Sequence, residues 1–296
     1  MISSMHPRRV GGAVLFMALS LVVPAELQGQ GGGRGPEELR QAARLDLEGE
    51  TEQARAILRQ VIDTASDPAA KAAAQRAMAM SYAFDGDCAN TVRYEELVIA
   101  YWKTREQAEP QDAFYQQGEM ADEAGRVCVD SGDLDTAERM YRMGYELGLK
   151  EPEPRTHPKS LWDFRLAHAL GRIGARRGDA EEAQDQIAAA RAALDSDSAM
   201  AAQQERFFPY LTGYVALYTG DLTKAEQELT RALAMDRNED DPFMNWLLAE
   251  TYERMGRKDE AKALYRKAYD AAQAHNPPAA FVRRTVREKL GLAESG

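Results

Sequence analysis

The chain has 296 residues and a formal net charge of −11, and 44% of its residues are hydrophobic. The acidic balance argues against a broad surface that neutralises nucleic-acid phosphates or binds anionic membranes. A mean hydropathy of −0.53 excludes a polytopic membrane protein. Four His and two Cys leave little material for a metal centre, and we predict neither a metal site nor a cofactor. The length allows one large domain or two ordinary ones with a substantial core.

The N-terminus has the pattern of an export signal. A basic stretch ends at Arg9, an apolar run covers 10–23, and small residues suited to cleavage end at Ala25. An apolar run of this length reaches about 21 Å as a helix, short of a hydrocarbon core of about 30 Å. We predict a signal peptide over 1–25, a flexible glycine-rich tether over 26–36, and an exported chain, periplasmic or secreted, with no membrane span after cleavage. An uncleaved N-terminal membrane anchor is the alternative.

Beyond the tether, glycines recur between pairs of amphipathic stretches. In four of the six cases an Asp follows directly. Such a glycine ends one helix in the left-handed conformation, and the Asp caps the next helix. The glycines are Gly49, Gly86, Gly132, Gly178, Gly220 and Gly256, and the aspartates are Asp87, Asp133, Asp179 and Asp221. These recurring turn residues predict six helix-turn-helix hairpins.

Residue size around these glycines also repeats. A small residue lies seven positions before the glycine, another lies five after it, and a large apolar residue lies nine after it. The first set is Ala42, Ala79, Gly125, Gly171, Gly213 and Ala249; the second is Ala54, Ala137, Ala183, Ala225 and Ala261; the third is Leu58, Tyr141, Ile187, Leu229 and Tyr265. Small residues let two antiparallel helices approach, while the large one fills the space beside them. One hairpin cannot bury its apolar face alone, so the hairpins must stack.

The pattern resembles the tetratricopeptide repeat, and the resemblance covers nearly all of the chain after residue 36. The last unit carries it most fully, with Leu248, Ala249, Tyr252, Gly256, Ala261, Tyr265 and Ala268. The resemblance implies an all-α fold, a right-handed α-solenoid of about six hairpins over 37–275 that is followed by a C-terminal capping helix and tail over 276–296.

The repeats depart from the family in length and in one unit. Family repeats have 34 residues, whereas the glycine spacings here are 37, 46, 46, 42 and 36, so the central units must contain longer helices or loops. Thr91 and Glu95 stand in the second unit where a small and a large apolar residue belong. The second helix of that unit is therefore the one that departs from the pattern.

A single helix is predicted over 279–292, after the sequence Asn-Pro-Pro. Its apolar residues lie on one face and its basic residues mostly on others. The apolar residues are Phe281, Val282, Val286 and Leu290, and the basic ones are Arg283, Arg284, Arg287 and Lys289. We predict that this helix caps the apolar side of the last repeat. A basic docking helix is the alternative.

The two cysteines form a candidate disulfide. Cys88 lies just past the turn of the second unit, and Cys128 lies four residues before the turn of the third. Stacked hairpins bring those turns to the same edge, and an even number of cysteines in an oxidising compartment favours pairing. Two buried free thiols are the alternative.

In this repeat class the first helix of each hairpin lines the concave surface. Counting back from each glycine predicts that basic residues of the fourth unit lie beside aromatic residues of the fifth. The candidate groove residues are Arg126, Arg165, His168, Arg172, Arg176, Tyr210, Tyr214, Tyr218 and Trp246. Peptide-binding members of the family hold a peptide carboxylate with basic residues on these faces. The resemblance implies this role for Arg165, Arg172 and Arg176, although the family's Lys/Asn clamp is not reproduced. Packing between repeats is the alternative role.

No nucleotide-binding loop, serine-hydrolase elbow, zinc-protease motif or C-x-x-C occurs in the sequence. We therefore predict an exported scaffold that binds another protein or peptide in the cell envelope, has no catalysis of its own and binds no nucleic acid. A small-ligand or glycan-binding protein that uses the arginines and aromatic residues is the first alternative. A hydrolase that uses two of the many carboxylates is the second.

Overall fold

A computed structural model describes residues 36–292. The predicted signal peptide and the first ten residues of the tether lie outside these residues. The described chain contains fourteen α-helices and one short 3-10 helix, in this order: α1 (Glu37–Glu48), α2 (Thr51–Thr64), α3 (Pro68–Phe84), α4 (Cys88–Lys103), α5 (Pro110–Ser131), α6 (Leu134–Gly148), α7 (Lys159–Arg177), α8 (Ala180–Ser196), α9 (Ser198–Gln204), the 3-10 helix (Glu205–Phe207), α10 (Phe208–Thr219), α11 (Leu222–Leu233), α12 (Pro242–Arg254), α13 (Lys258–Ala271) and α14 (Pro277–Lys289). Neighbouring helices pack in pairs, so the predicted all-α helical repeat solenoid is confirmed.

The turns between paired helices have the chemistry that the sequence predicts. All six glycines have positive φ, between 71° and 95°. In the four Gly-Asp turns the Asp carboxylate accepts a hydrogen bond from the backbone N–H three residues ahead, at 3.0–3.1 Å. This bond satisfies one of the N–H groups that the start of a helix leaves without an intrahelical partner.

The packing between paired helices follows the size pattern. The five alanines that lie five positions after a glycine are at most 2% exposed. The long central spacings come from long first helices, 22 residues in α5 and 19 in α7, and from α9. The second helix of the second unit does form, as α4. Thr91 is accommodated because its Oγ1 donates to the carbonyl oxygen of Asp87 at 2.8 Å. Glu95 is fully buried, and this burial raises the pKa of its carboxyl well above the usual value.

Helix α14 joins the two ends of the array. It packs on α12 and α13, as a capping helix does, and it also packs on α1, α3 and α5. Its Phe281 is 2% exposed and meets the ring of Phe243 edge to face, with centroids 5.5 Å apart. The repeats therefore close into a ring, with the first helices of the hairpins around its interior.

The basic side chains of α14 bind within the chain. Arg283 Nη1 donates to the carbonyl oxygen of Leu47 at 3.2 Å, and Arg287 Nη2 donates to that of Glu48 at 2.7 Å. These carbonyls end α1, where the helix dipole favours a cation. The last helix is thus both a cap for α12 and α13 and a basic helix that docks on the first repeat.

Two further contacts stabilise the array, one between neighbouring helices and one between its two ends. Cys88 and Cys128 form a disulfide between α4 and α5. Asp46 has a fully buried carboxylate that accepts a hydrogen bond from Ser81 Oγ at 2.7 Å and meets His275 Nε2 at 2.7 Å. Asp46 lies in α1 and His275 immediately precedes α14, so this contact also fixes the closure.

Candidate functional site

One face of α7 carries four of the candidate groove residues. Arg165, His168, Arg172 and Arg176 follow one another at spacings of three or four, which places them on the same side of a helix. The two middle residues are buried, with His168 8% and Arg172 5% exposed, and the two outer residues are half-buried. The ring closure explains this burial, because an open solenoid would leave its concave face in water. We refer to these four residues as the α7 column.

Arg172 is held by neutral groups. Its Nη2 donates to the hydroxyl of Tyr141 at 2.9 Å, its Nη1 donates to the hydroxyl of Tyr210 at 3.3 Å, and its Nε donates to the carbonyl oxygen of His168 at 3.3 Å. The guanidinium also lies 5.7–6.0 Å from the ring centroids of Tyr141, Tyr210 and Tyr214. Aromatic faces attract cations, so this cage favours the charge without neutralising it.

A second arginine–tyrosine arrangement lies where the inner helices end. Arg176 Nη1 donates to the hydroxyl of Tyr214 at 3.4 Å. The ring of Tyr218 lies 5.0 Å from the guanidinium carbon of Arg176 and 5.4 Å from that of Arg254. Arg254 is exposed, and Arg176 and Tyr218 are half-buried. We refer to Arg176, Tyr218 and Arg254 as the turn-end cluster.

The remaining candidates lie around Phe243 at the start of α12. Arg126 reaches its ring from α5, at 6.0 Å from the centroid, and the ring of Trp246 lies 5.2 Å away. Within residues 36–292, three buried nitrogens in this region have no hydrogen-bond partner: Arg126 Nε, Trp246 Nε1 and His168 Nε2. The structure therefore brings these candidates to the ring interior together with the tyrosines.

Carboxylates are present in the interior, but among the arginines described so far they form an ion pair only with Arg165. Glu119 forms an ion pair with Arg165, and Asp130 forms one with Arg284 of α14. Burial raises the pKa of Asp122 to about 8, against the opposing effect of Arg165, so this carboxyl is mostly protonated at neutral pH. Among the described residues, no carboxylate oxygen lies within ion-pair distance of the other four inner guanidinium groups, those of Arg126, Arg172, Arg176 and Arg254.

The pKa of His168 is lowered well below its usual value by burial, with further lowering by the charges of Arg172 and Arg126. The imidazole is therefore neutral at pH 7. Sequence reasoning missed Tyr141, which it assigned only to packing as a large residue after a turn. The sequence signal for its role was the polar hydroxyl at a position where three other units have Leu or Ile.

The arrangement offers cation donors and aromatic surfaces. Asp46 separates Ser81 from His275, so that histidine does not contact the serine hydroxyl and this trio lacks the geometry of a nucleophile with its base. The part of the chain that the structure describes contains no group of three or more His, Cys, Asp or Glu placed to hold a metal ion. None of the helices in residues 36–292 has both the length and the apolar character needed to cross a bilayer.

Comparison with known families finds a match for one hairpin. Residues 244–275, which include most of α12 and all of α13, match the tetratricopeptide repeat family. The match covers the sixth hairpin of the array. No curated protein matches the chain. Tetratricopeptide repeats mediate protein–protein interactions, so this match supports an interaction role in general terms.

Proposed function

We propose that this protein is an exported scaffold without catalysis of its own, and that it binds an acidic or carboxylate-terminated segment of a partner in the cell envelope. The family match supports the interaction role. The partner contact is the turn-end cluster, the part of the arginine and tyrosine surface that reaches solvent.

The observation that carries this proposal is the convergence of Arg176 and Arg254 on Tyr218. Two guanidinium groups lie about one aromatic ring at 5.0 and 5.4 Å, and neither has a carboxylate partner within the described residues. The two positive charges repel each other, whereas a carboxylate bound between them would attract both. Arginine binds carboxylates in bidentate geometry, and Tyr218 offers an apolar face for the adjoining side chain.

A peptide array tests this site. The mature chain, residues 26–296, would be applied to decapeptides with free C-terminal carboxylates and to the same peptides with amidated C-termini. We expect selection of acidic peptides or free C-termini, and a loss of about tenfold or more in affinity when Arg176→Gln and Arg254→Gln are combined. The matched control combines Lys262→Gln and Arg266→Gln, which remove the same charge from the exposed face of α13 and should change affinity less than about twofold.

Two results would contradict the assignment. One is an array without preference for acidic or carboxylate-terminated peptides. The other is an equal loss of affinity in the turn-end variant and in the α13 control, because a general effect of net charge would then account for binding.

The proposed export rests on the N-terminal pattern, and the disulfide supports it because such bonds persist in oxidising compartments. Edman sequencing of the chain from the envelope fraction of its source cells should begin at Glu26. A chain that is recovered intact from the cytosol, with its first 25 residues, would overturn this part of the proposal.

A further inference from the structure

The ring interior contains positive charge that the chain does not neutralise. Arg172 is 5% exposed, and its hydrogen-bond acceptors are two phenol oxygens and a backbone carbonyl. Arg126 reaches the same region from α5 with a buried and unpartnered Nε. Arginine cannot lose its proton in a protein, so burial leaves it charged. A buried charge is costly unless an opposite charge meets it.

The carboxylates nearest to this region are already engaged or neutral. Glu119 serves Arg165, and Asp130 serves Arg284. Asp122 forms no ion pair with Arg126 or Arg172 within the described residues, and burial raises the pKa of its carboxyl to about 8. The counter-charge for Arg126 and Arg172 must therefore come from outside residues 36–292.

Hydrogen-bonding groups suited to an anion surround the two arginines. The hydroxyls of Tyr141 and Tyr210 accept hydrogen bonds from Arg172, so their own protons remain to be donated. His168 is more than nine-tenths buried and lies beside Tyr210, with ring centroids 5.0 Å apart and the ring planes tilted, yet its Nε2 has no partner in the described structure. An unsatisfied buried nitrogen beside two unneutralised cations points to a bound group.

We infer that the ring interior binds a compact anion with two or more negative charges, a phosphate or a small polycarboxylate, between Arg126 of α5 and Arg172 of α7. The closure by α14 favours a small ligand over a polypeptide, because the buried middle of the α7 column is enclosed by helices. This site is separate from the partner contact proposed above, which uses Arg176, Tyr218 and Arg254, and it does not depend on that contact.

Thermal unfolding of the mature chain tests the inference. The chain would be dialysed into a chloride buffer and titrated with sodium phosphate or with sodium citrate, with sodium chloride added to equal ionic strength as the reference. We expect one of the two anions to raise Tm by about 5 °C at a concentration a hundred times its Kd. The anion that acts distinguishes a phosphate ligand from a polycarboxylate ligand.

Arg126→Met makes the test specific. The guanidinium of Arg126 makes no hydrogen bond or ion pair within residues 36–292, so the substitution removes a positive charge that has no partner there. We expect the variant to have a Tm equal to or above that of the parent chain without anion, and to lose the anion-dependent rise. Arg266→Met, on the exposed face of α13, should keep the parent's Tm and its rise. Arg126→Lys, which keeps the charge but loses the guanidinium fork, should keep the fold and lose most of the rise.

A second measurement reads the site directly. The NMR titration of His168, assigned by its loss in His168→Gln, should shift to higher pH when the active anion is bound, because the added negative charge opposes Arg126 and Arg172. The inference is overturned if neither anion raises Tm beyond the chloride reference, or if Arg126→Met keeps the rise. It is also overturned if the His168 titration stays unchanged at saturating anion. If the chain binds peptides through the turn-end cluster but fails these tests, the anion site is disproved and the proposed peptide contact stands.

Discussion

The close contact of α10 with α11 gives the most direct test of the repeat packing. Gly213 lies seven residues before the turn glycine of its unit, and Leu229 lies nine after it. A Cβ on Gly213 would lie 2.7 Å from Leu229 Cγ, 3.0 Å from its Cδ2 and 3.1 Å from its backbone nitrogen. Ordinary contacts begin near 3.4 Å, and a backbone atom cannot move aside as a flexible side chain can. We predict that Gly213→Ala destabilises the protein.

The magnitude follows from two opposing effects. Alanine gains about 1 kcal/mol over glycine in a helix interior. Overpacking of a well-filled contact costs about 1–3 kcal/mol, and the backbone contact places this site towards the upper end. The expected net loss is about 1–2 kcal/mol in the free energy of unfolding. It would be measured from urea unfolding followed by far-UV circular dichroism, as a lower midpoint with an unchanged slope.

A double-mutant cycle isolates the contact. Leu229 is fully buried, so Leu229→Ala alone should cost about 2–5 kcal/mol. In that background the Leu229 Cγ and Cδ2 atoms are gone and only the backbone nitrogen contact remains, so Gly213→Ala should cost clearly less than it does in the parent chain. An equal loss from Gly213→Ala in both backgrounds would refute the packing argument, because the loss would then not depend on Leu229.

Gly171 provides the matched control. It occupies the same position in the preceding unit, but its added Cβ would meet Leu211 Cδ1 at 3.2 Å and other atoms only at 3.4 Å or more. The end of the Leu211 side chain can shift by the small amount required. Gly171→Ala should therefore leave stability unchanged or raise it by up to about 1 kcal/mol. A loss as large as that from Gly213→Ala would show that the distances do not decide the outcome.

Three further predictions concern the rest of the ring. Replacing Cys88 and Cys128 by Ser opens a loop of 40 residues and should lower the free energy of unfolding by about 4 kcal/mol in urea titrations, whereas an unchanged midpoint would contradict it. Because the pKa of Asp122 is raised to about 8, the folded state keeps a proton between about pH 4 and pH 8 that the unfolded state has lost, so stability should fall as pH rises through this window. Asp122→Asn should flatten that part of the pH profile of Tm, and an unaltered slope would exclude Asp122 as its source. His275→Ala removes a partner of the buried Asp46 carboxylate and should lower the free energy of unfolding by about 1–3 kcal/mol. Backbone amides of α1 and α14 should then exchange hydrogen faster than those of α7, and uniform exchange would argue against a role of His275 in closure.

The sequence predicted most of the fold because its signals are local. The left-handed glycines and the Asp caps act within a few residues of themselves, and the helical period is read over a single turn or two. The Asp87 cap predicted the start of α4, but buried Thr91 and Glu95 interrupt its apolar pattern, and contacts with neighbouring helices hold the segment helical. Tertiary contacts override a weak local pattern in such a case.

The candidate site was predicted in part. The inward register of α7 and α10 identified Arg172 and Tyr210, which do meet. It did not identify Tyr141, because that residue comes from the second helix of another hairpin and reaches Arg172 only after α6 and α7 pack. The register also did not predict which arginines are paired with a carboxylate, because such pairs join residues far apart in the sequence. Arg284, for example, pairs with Asp130, which lies 154 residues before it.

The sequence by itself therefore determined the helices, their turns, their pairing within hairpins and the residue types on the inner face. Only the tertiary structure decided that α14 reaches the first repeats, that Asp46 meets His275 across 229 residues, and that the α7 column is buried. The physical reason is that a hairpin is specified by contacts close in sequence, whereas closure depends on small rotations between repeats that accumulate along the whole array. The charge left inside the ring is a consequence of that closure.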